Sequence, residues 1–119
     1  LALADMGVLE KYGVELIGAN QQAIEMAEDR GLFREAMQRI GLENPRAAIV
    51  TAPKGADGRP DLGAGVRQAL EALDDIGLPA IIRPAFTLGG TGGGVAYNRE
   101  DYEHYCRTGM DASPVSQIL

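Results

Sequence analysis

Five of the chain's sixteen glycines fall between positions 89 and 94, inside the stretch IIRPAFTLGGTGGGVAYN at residues 81–98. Ala80, Ile81 and Ile82 read as a buried strand that delivers Arg83 and Pro84 to its end; a second strand is predicted over residues 95–97. The glycines therefore sit in a loop between two strands. Without a Cβ, and with positive φ open to them, their backbone N–H groups can approach an anion closely, and phosphate is the usual one.

Two better known phosphate motifs fail on this stretch. A P-loop needs Lys and then Ser or Thr after its last glycine, whereas Gly94 is followed by Val95 and Ala96. A dinucleotide fingerprint begun at Gly90 needs glycine at 95, which is Val; begun at Gly89 it meets Thr91. Both motifs also require a helix after the glycines. What remains is a strand, a mobile glycine loop and another strand, able to fold over phosphates. The alternative reading is an ordinary hairpin, with Arg83 paired to a carboxylate.

Around this loop the pattern alternates helices with short strands. Leu1, Leu3, Ala4, Val8 and Leu9 predict a short amphipathic helix, and residues 14–17 a strand ended by Gly18. Asn20 caps a helix holding Ala23, Ile24 and Ala27. Asp29 caps another, with Leu32, Phe33, Ala36, Met37 and Ile40 at helical spacing and Gly41 as its stop. Residues 47–51 read as a strand and 53–65 as a surface loop. Asp61 caps a helix with a stripe through Leu62, Val66, Ala69, Leu73 and Ile76, and Asn98 caps one carrying Tyr102, Tyr105 and Cys106. Ser113 before Pro114 predicts one more helix start. The fold class expected is α+β: a small antiparallel sheet with helices packed on one face.

Composition narrows the function. With 11 Lys and Arg against 17 Asp and Glu the net charge is −6, which provides no basic footprint for nucleic acid or an anionic membrane. No run approaches the roughly 18 apolar residues of a spanning helix. The lone Cys106 forms no internal disulfide, and residues 1–9 lack a basic leader, so a cytoplasmic location is expected. His104 sits among Glu100, Asp101 and Glu103 and is expected to face solvent. Glu71, Asp74 and Asp75 spread round a helix surface without converging as metal ligands. No nucleophile triad is visible, and no catalytic residue is assigned.

The stretch 81–98, together with AEDRGLFREAMQRIGL at residues 27–42, resembles the large subunit of carbamoyl-phosphate synthase, and the similarity runs over nearly the whole chain. It is closest to the first of the family's two ATP-grasp units, because the second lacks the triple glycine that stands here at 92–94. The resemblance implies that Arg30 and Arg83 contact ATP phosphates and that Gly89 and Gly90 contact the nucleotide through their backbone. A guanidinium is permanently charged and its fork matches phosphate oxygens, which suits both arginines. On spacing alone Arg30 reads as a surface salt-bridge partner of Glu25, Glu28 or Asp29, worth under about 1 kcal/mol. Gly92, Gly93 and Gly94 are expected to give hinge freedom, and Thr91 a hydroxyl donor.

The implied enzyme is a glutamine-dependent ligase of arginine and pyrimidine biosynthesis. It phosphorylates bicarbonate with ATP, takes ammonia from a glutaminase small subunit and uses Mg²⁺ or Mn²⁺, whose ligands the resemblance places outside these residues. Residues 1–19 resemble the tail of a preceding Rossmann-like domain, and 20–119 the glycine-loop lobe of ATP-grasp cut short at its C-terminal end. The chain is accordingly expected to be an inactive excerpt, with a surface insertion at 53–65. It is also expected either to self-associate through exposed apolar ends or to be disordered at 53–61 and 86–94. Competing readings are another ATP-grasp ligase, such as a biotin-dependent carboxylase, and a non-catalytic acidic interaction module.

Overall fold

The computed structural model describes residues 1–119, which divide into two compact units, Leu1–Asn44 and Pro45–Leu119.

The first unit is helical: α1 (Ala2–Asp5), α2 (Val8–Lys11), α3 (Gln21–Glu28) and α4 (Arg30–Arg39). The single helix expected at its start is broken in two, because Gly7 turns left-handed at φ 69° between α1 and α2. Residues 14–17 form no strand. They are extended in composition only, since Val14, Leu16 and Ile17 are exposed and both ladders of the molecule are built from other residues. A strand exists where a neighbour takes its backbone hydrogen bonds, and apolar residues alone do not supply one.

The helix starts fall where expected. Asn20 Oδ1 accepts the Ala23 N–H at 2.8 Å, and Asp29 Oδ1 accepts that of Leu32 at 2.9 Å. After α4, Gly41 at φ 80° donates to Gln38 O while Leu42 donates to Met37 O, the paired reverse bonds that close a helix on a left-handed residue.

The second unit holds β1 (Val50–Thr51), α5 (Leu62–Ile76), β2 (Ala80–Ile82), β3 (Gly94–Ala96), α6 (Arg99–Ala112) and β4 (Gln117–Ile118). Two antiparallel ladders result in place of the single sheet expected: β1 with β4, and β2 with β3. They are stitched together where β2 runs on. Arg83 exchanges both backbone hydrogen bonds with Leu119 at 2.9 Å, and Ala85 N–H donates to Gln117 O at 2.9 Å. Of the strand expected over 47–51 only Val50 and Thr51 are paired, as β4 reaches no further along it.

The core lies between α5, α6 and the ladders. Val66, Ala69 and Leu73 of α5 meet Tyr102, Cys106 and Met110 of α6, with Ile82 and Ile118 beneath them. Within β2, Ala80 and Ile82 are 4% and 2% exposed but Ile81 is 67% exposed, so helices cover one face. The α5 contact is close enough that a Cβ on Gly65 would stand 2.7 Å from Met110 Sδ and 3.1 Å from Ala52 Cα.

Ser113 and Pro114 start no helix. Ser113 instead ends α6, its N–H bonded to Gly109 O, and its Oγ accepts the Gln117 N–H at 3.2 Å as the chain turns into β4. The 53–61 loop is a closed turn, with a bridge between Lys54 and Pro60 and Asp61 N–H bonded to Pro53 O at 2.7 Å.

Candidate functional site

Arg83 stands at the end of β2, just before the chain turns into the glycine loop that returns as β3. Its backbone is held by Leu119 and its side chain is exposed. The loop's returning limb lies directly on this strand end: a Cβ on Gly93 would come 3.0 Å from Ile82 O, and one on Gly92 3.3 Å from Pro84 Cγ. Arg83, Gly89 and Gly90 are thus brought to one end of the β2–β3 ladder. Arg30 is the first residue of α4, half-buried, and belongs to Leu1–Asn44.

The glycines of the loop fall into two kinds. Gly89 and Gly90 are exposed, take φ 65° and 76°, have nothing within 4 Å of a notional Cβ, and their N–H groups make no hydrogen bond within the chain. Two consecutive open amides of this sort are what a phosphate oxygen needs.

The triple glycine is different, and the hinge role expected of it is not what the structure displays. A Cβ on Gly92 would lie 2.7 Å from Ala112 Cβ, and one on Gly94 would enter the Tyr105 ring. These residues are small because α6 runs against them. Thr91 is also committed inward, its Oγ1 donating to Leu88 O at 2.9 Å.

Sequence reasoning missed two features here. Phe86 takes φ 56°, a left-handed conformation rare for a bulky residue, at the point where the chain leaves the ladder for the loop. No residue type announces that. Arg46, together with Arg83, lines a cavity of about 440 Å³ on the second unit, and only the ladder register brings them near.

The remaining candidates are placed as the sequence suggested. His104 is exposed, with its ring 5.4 Å from that of Tyr105. Cys106 is buried against Tyr102, whose hydroxyl donates to Ala69 O at 2.9 Å. Burial pushes the Cys106 thiol up to about 11, and burial first, then the neighbouring Cys106, drives the Tyr102 hydroxyl well above its usual range. Neither group is a nucleophile at neutral pH. No set of three or more His, Cys, Asp or Glu side chains converges to hold a metal, and no helix is long and apolar enough to cross a membrane.

Residues 29–118 match the protein family described as carbamoyl-phosphate synthase L chain, ATP binding domain. The chain is similar to carbamoyl phosphate synthase large chains. It is 53% identical to that of Myxococcus xanthus over 118 residues and 55% identical to that of Gemmatimonas aurantiaca over 119. Against that of Archaeoglobus fulgidus it is 50% identical over 117 residues. These alignments cover 98–100% of this chain and 10% of each relative, so the chain spans about a tenth of the length of the proteins it matches. With three quarters of its residues matched and half of them identical to such relatives, the chain belongs to the carbamoyl-phosphate synthase large-chain ATP-binding domain family.

Proposed function

We propose that this chain forms part of the ATP site of a glutamine-dependent carbamoyl-phosphate synthase, within the ATP-grasp unit that phosphorylates bicarbonate to carboxyphosphate. Arg30 and Arg83 would grip the triphosphate as permanently charged forks, and the Gly89 and Gly90 amides would donate to its oxygens. Cover from that turn keeps water from a labile acyl phosphate. The observation that carries this reading is the pair of exposed, unbonded amides at the ladder end where Arg83 stands. The triple glycine at 92–94 supports the first unit of the two.

Ammonia would come from a glutaminase small subunit, and a second ATP would complete carbamoyl phosphate. Phosphoryl transfer of this kind uses carboxylate-held Mg²⁺ or Mn²⁺. The acidic residues of this chain do not gather into such a set and so do not fit that role. The 119 residues alone should therefore bind nucleotide weakly and not hydrolyse it.

Titration of the isotope-labelled chain with ATP tests the assignment. The Gly89 and Gly90 amide resonances should move, and Arg83→Ala should weaken that response by about tenfold or more, as expected for a lost charged hydrogen bond. Unmoved glycine amides at millimolar ATP would refute it.

A further inference from the structure

Two residues other than glycine have a left-handed backbone, Phe86 at φ 56° and Ser116 at φ 50°. Ser116 is small and buried. Its N–H donates to Ser113 O and its C=O accepts from Ala52, each at 2.9 Å, so the ladder accounts for its conformation. Phe86 has neither kind of hold. Its side chain is 45% exposed, and neither its N–H nor its C=O is hydrogen-bonded within the chain. A bulky residue rarely takes this conformation, and one that does so in the open, where glycine or asparagine would be less strained, calls for a reason outside packing.

That reason follows from what is fixed on either side. Pro84 is bridged to Ile118, and the buried Ala85 donates to Gln117 O at 2.9 Å, so the chain is pinned as far as residue 85. Leu88–Thr91 is a closed turn. Leu88 O accepts the Thr91 N–H at 3.3 Å and the Thr91 hydroxyl at 2.9 Å, and both central residues, Gly89 and Gly90, are left-handed, as in a type I′ turn. On the returning limb Gly93 donates to Gly90 O at 3.1 Å, and Gly92 has no room for a Cβ beside Ala112 and Pro84. Between the pinned Ala85 and the closed turn stand only Phe86 and Thr87, and the Thr87 hydroxyl is tied back to Pro84 O at 3.4 Å. The Phe86 backbone is thus the joint that sets where the turn and its two open amides face.

We propose that Phe86 is a positioning residue for the nucleotide phosphates: its left-handed backbone, and not its ring, aims the Gly89 and Gly90 amides to the ladder end where Arg83 stands. This rests on the nucleotide assignment for its ligand alone, because the direction of the amides is measurable without one.

Two substitutions separate backbone from ring. Phe86→Asn removes the ring and keeps the left-handed region accessible, whereas Phe86→Val keeps an apolar side chain whose β-branching disfavours that region. In the free 119-residue chain, weakly aligned, the residual dipolar couplings of the Gly89 and Gly90 N–H groups should be alike in the parent and Phe86→Asn and different in Phe86→Val. Those of α6 should be the same in all three, which reports an intact fold. With ATP, Phe86→Asn should shift the glycine resonances at a midpoint within about threefold of the parent's. Phe86→Val should need about tenfold more, the loss expected when the competent conformer falls to about a tenth of the population. Three results would overturn the proposal. One is a weak intraresidue contact between the Phe86 amide and Hα protons in the unaltered chain, where positive φ demands a strong one, and this needs no variant. Another is couplings in Phe86→Val equal to the parent's. The third is a loss in Phe86→Asn as large as in Phe86→Val, which would give the role to the ring. Couplings that follow the expected pattern in a chain whose glycine amides ignore ATP would uphold the aim of the amides and refute the nucleotide assignment.

Discussion

Glycines four or five positions apart in this chain serve opposite physical ends. Gly89 and Gly90 need their missing Cβ for conformation, because φ near +70° strains any other residue by about 1 kcal/mol, and the space around them is open. Gly94 needs it for room, because Tyr105 of α6 fills the place a Cβ would take. Gly90→Ala should therefore keep the fold, lowering stability by about 1 kcal/mol, and weaken any response to ATP. Gly94→Ala should cost about 2 kcal/mol or more, since the ring is anchored in a packed helix. Paired thermal melts separate the two effects, and equal losses would contradict the distinction. From sequence the six-residue stretch looks uniform; what divides it is the approach of a helix some ten residues further on, which no local pattern encodes. Cys106 carries another expectation. Its folded pKa of about 11 lies above its ordinary 9.0, so the unfolded chain releases the proton first. Stability is complete below about pH 9 and falls as pH rises toward about 11, by an amount on the order of 2 kcal/mol. Denaturant midpoints against pH should show that slope, and Cys106→Ala should remove it between about pH 9 and 10, leaving above about pH 10 the fall that belongs to Tyr102, whose hydroxyl is also held above its usual range in the fold.

Among the elements, helices were legible and strands only partly so. All four predicted N-caps of the longer helices, Asn20, Asp29, Asp61 and Asn98, accept the N–H three residues on at 2.8–2.9 Å. A helix start is a local event, satisfied by a side chain next to it in sequence. A strand is not. The apolar residues 14–17 have no ladder partner, and 47–49 lie beyond the reach of β4, yet both segments read as strands before their neighbours are known. Ser113 and Pro114 misled for a related reason: the same pair that opens a helix also closes one when the next residues are claimed by a ladder, here Gln117 and Ile118 with β1. The weight of a cap is testable at Asp61, which opens the longest helix and whose Oδ1 accepts the Ala64 N–H at 2.9 Å. Asp61→Ala should cost about 1 kcal/mol and Asp61→Asn much less, read as a shift in urea midpoint at constant slope.

At the scale of the whole chain, burial is unevenly shared. Every member of the main core cluster lies in Pro45–Leu119, whereas Ala36, 9% exposed, is the one buried apolar residue of Leu1–Asn44. Burial of apolar surface at about 25 cal/mol per Å² is the chief source of stability, so the two units cannot be equally stable. Helices α3 and α4 carry good caps, but caps add about 1 kcal/mol each and cannot replace a core. Unfolding should therefore not be a single two-state event. Amides of Leu1–Asn44 should exchange faster than those of α5, α6 and β2, through a sub-global opening that leaves Pro45–Leu119 intact. The same order should appear in urea, with a probe in α4 lost before the buried Tyr102 senses solvent. Coincident transitions at both probes, with matched exchange protection in the two units, would mean that Leu1–Asn44 draws its stability from something other than its own buried side chains.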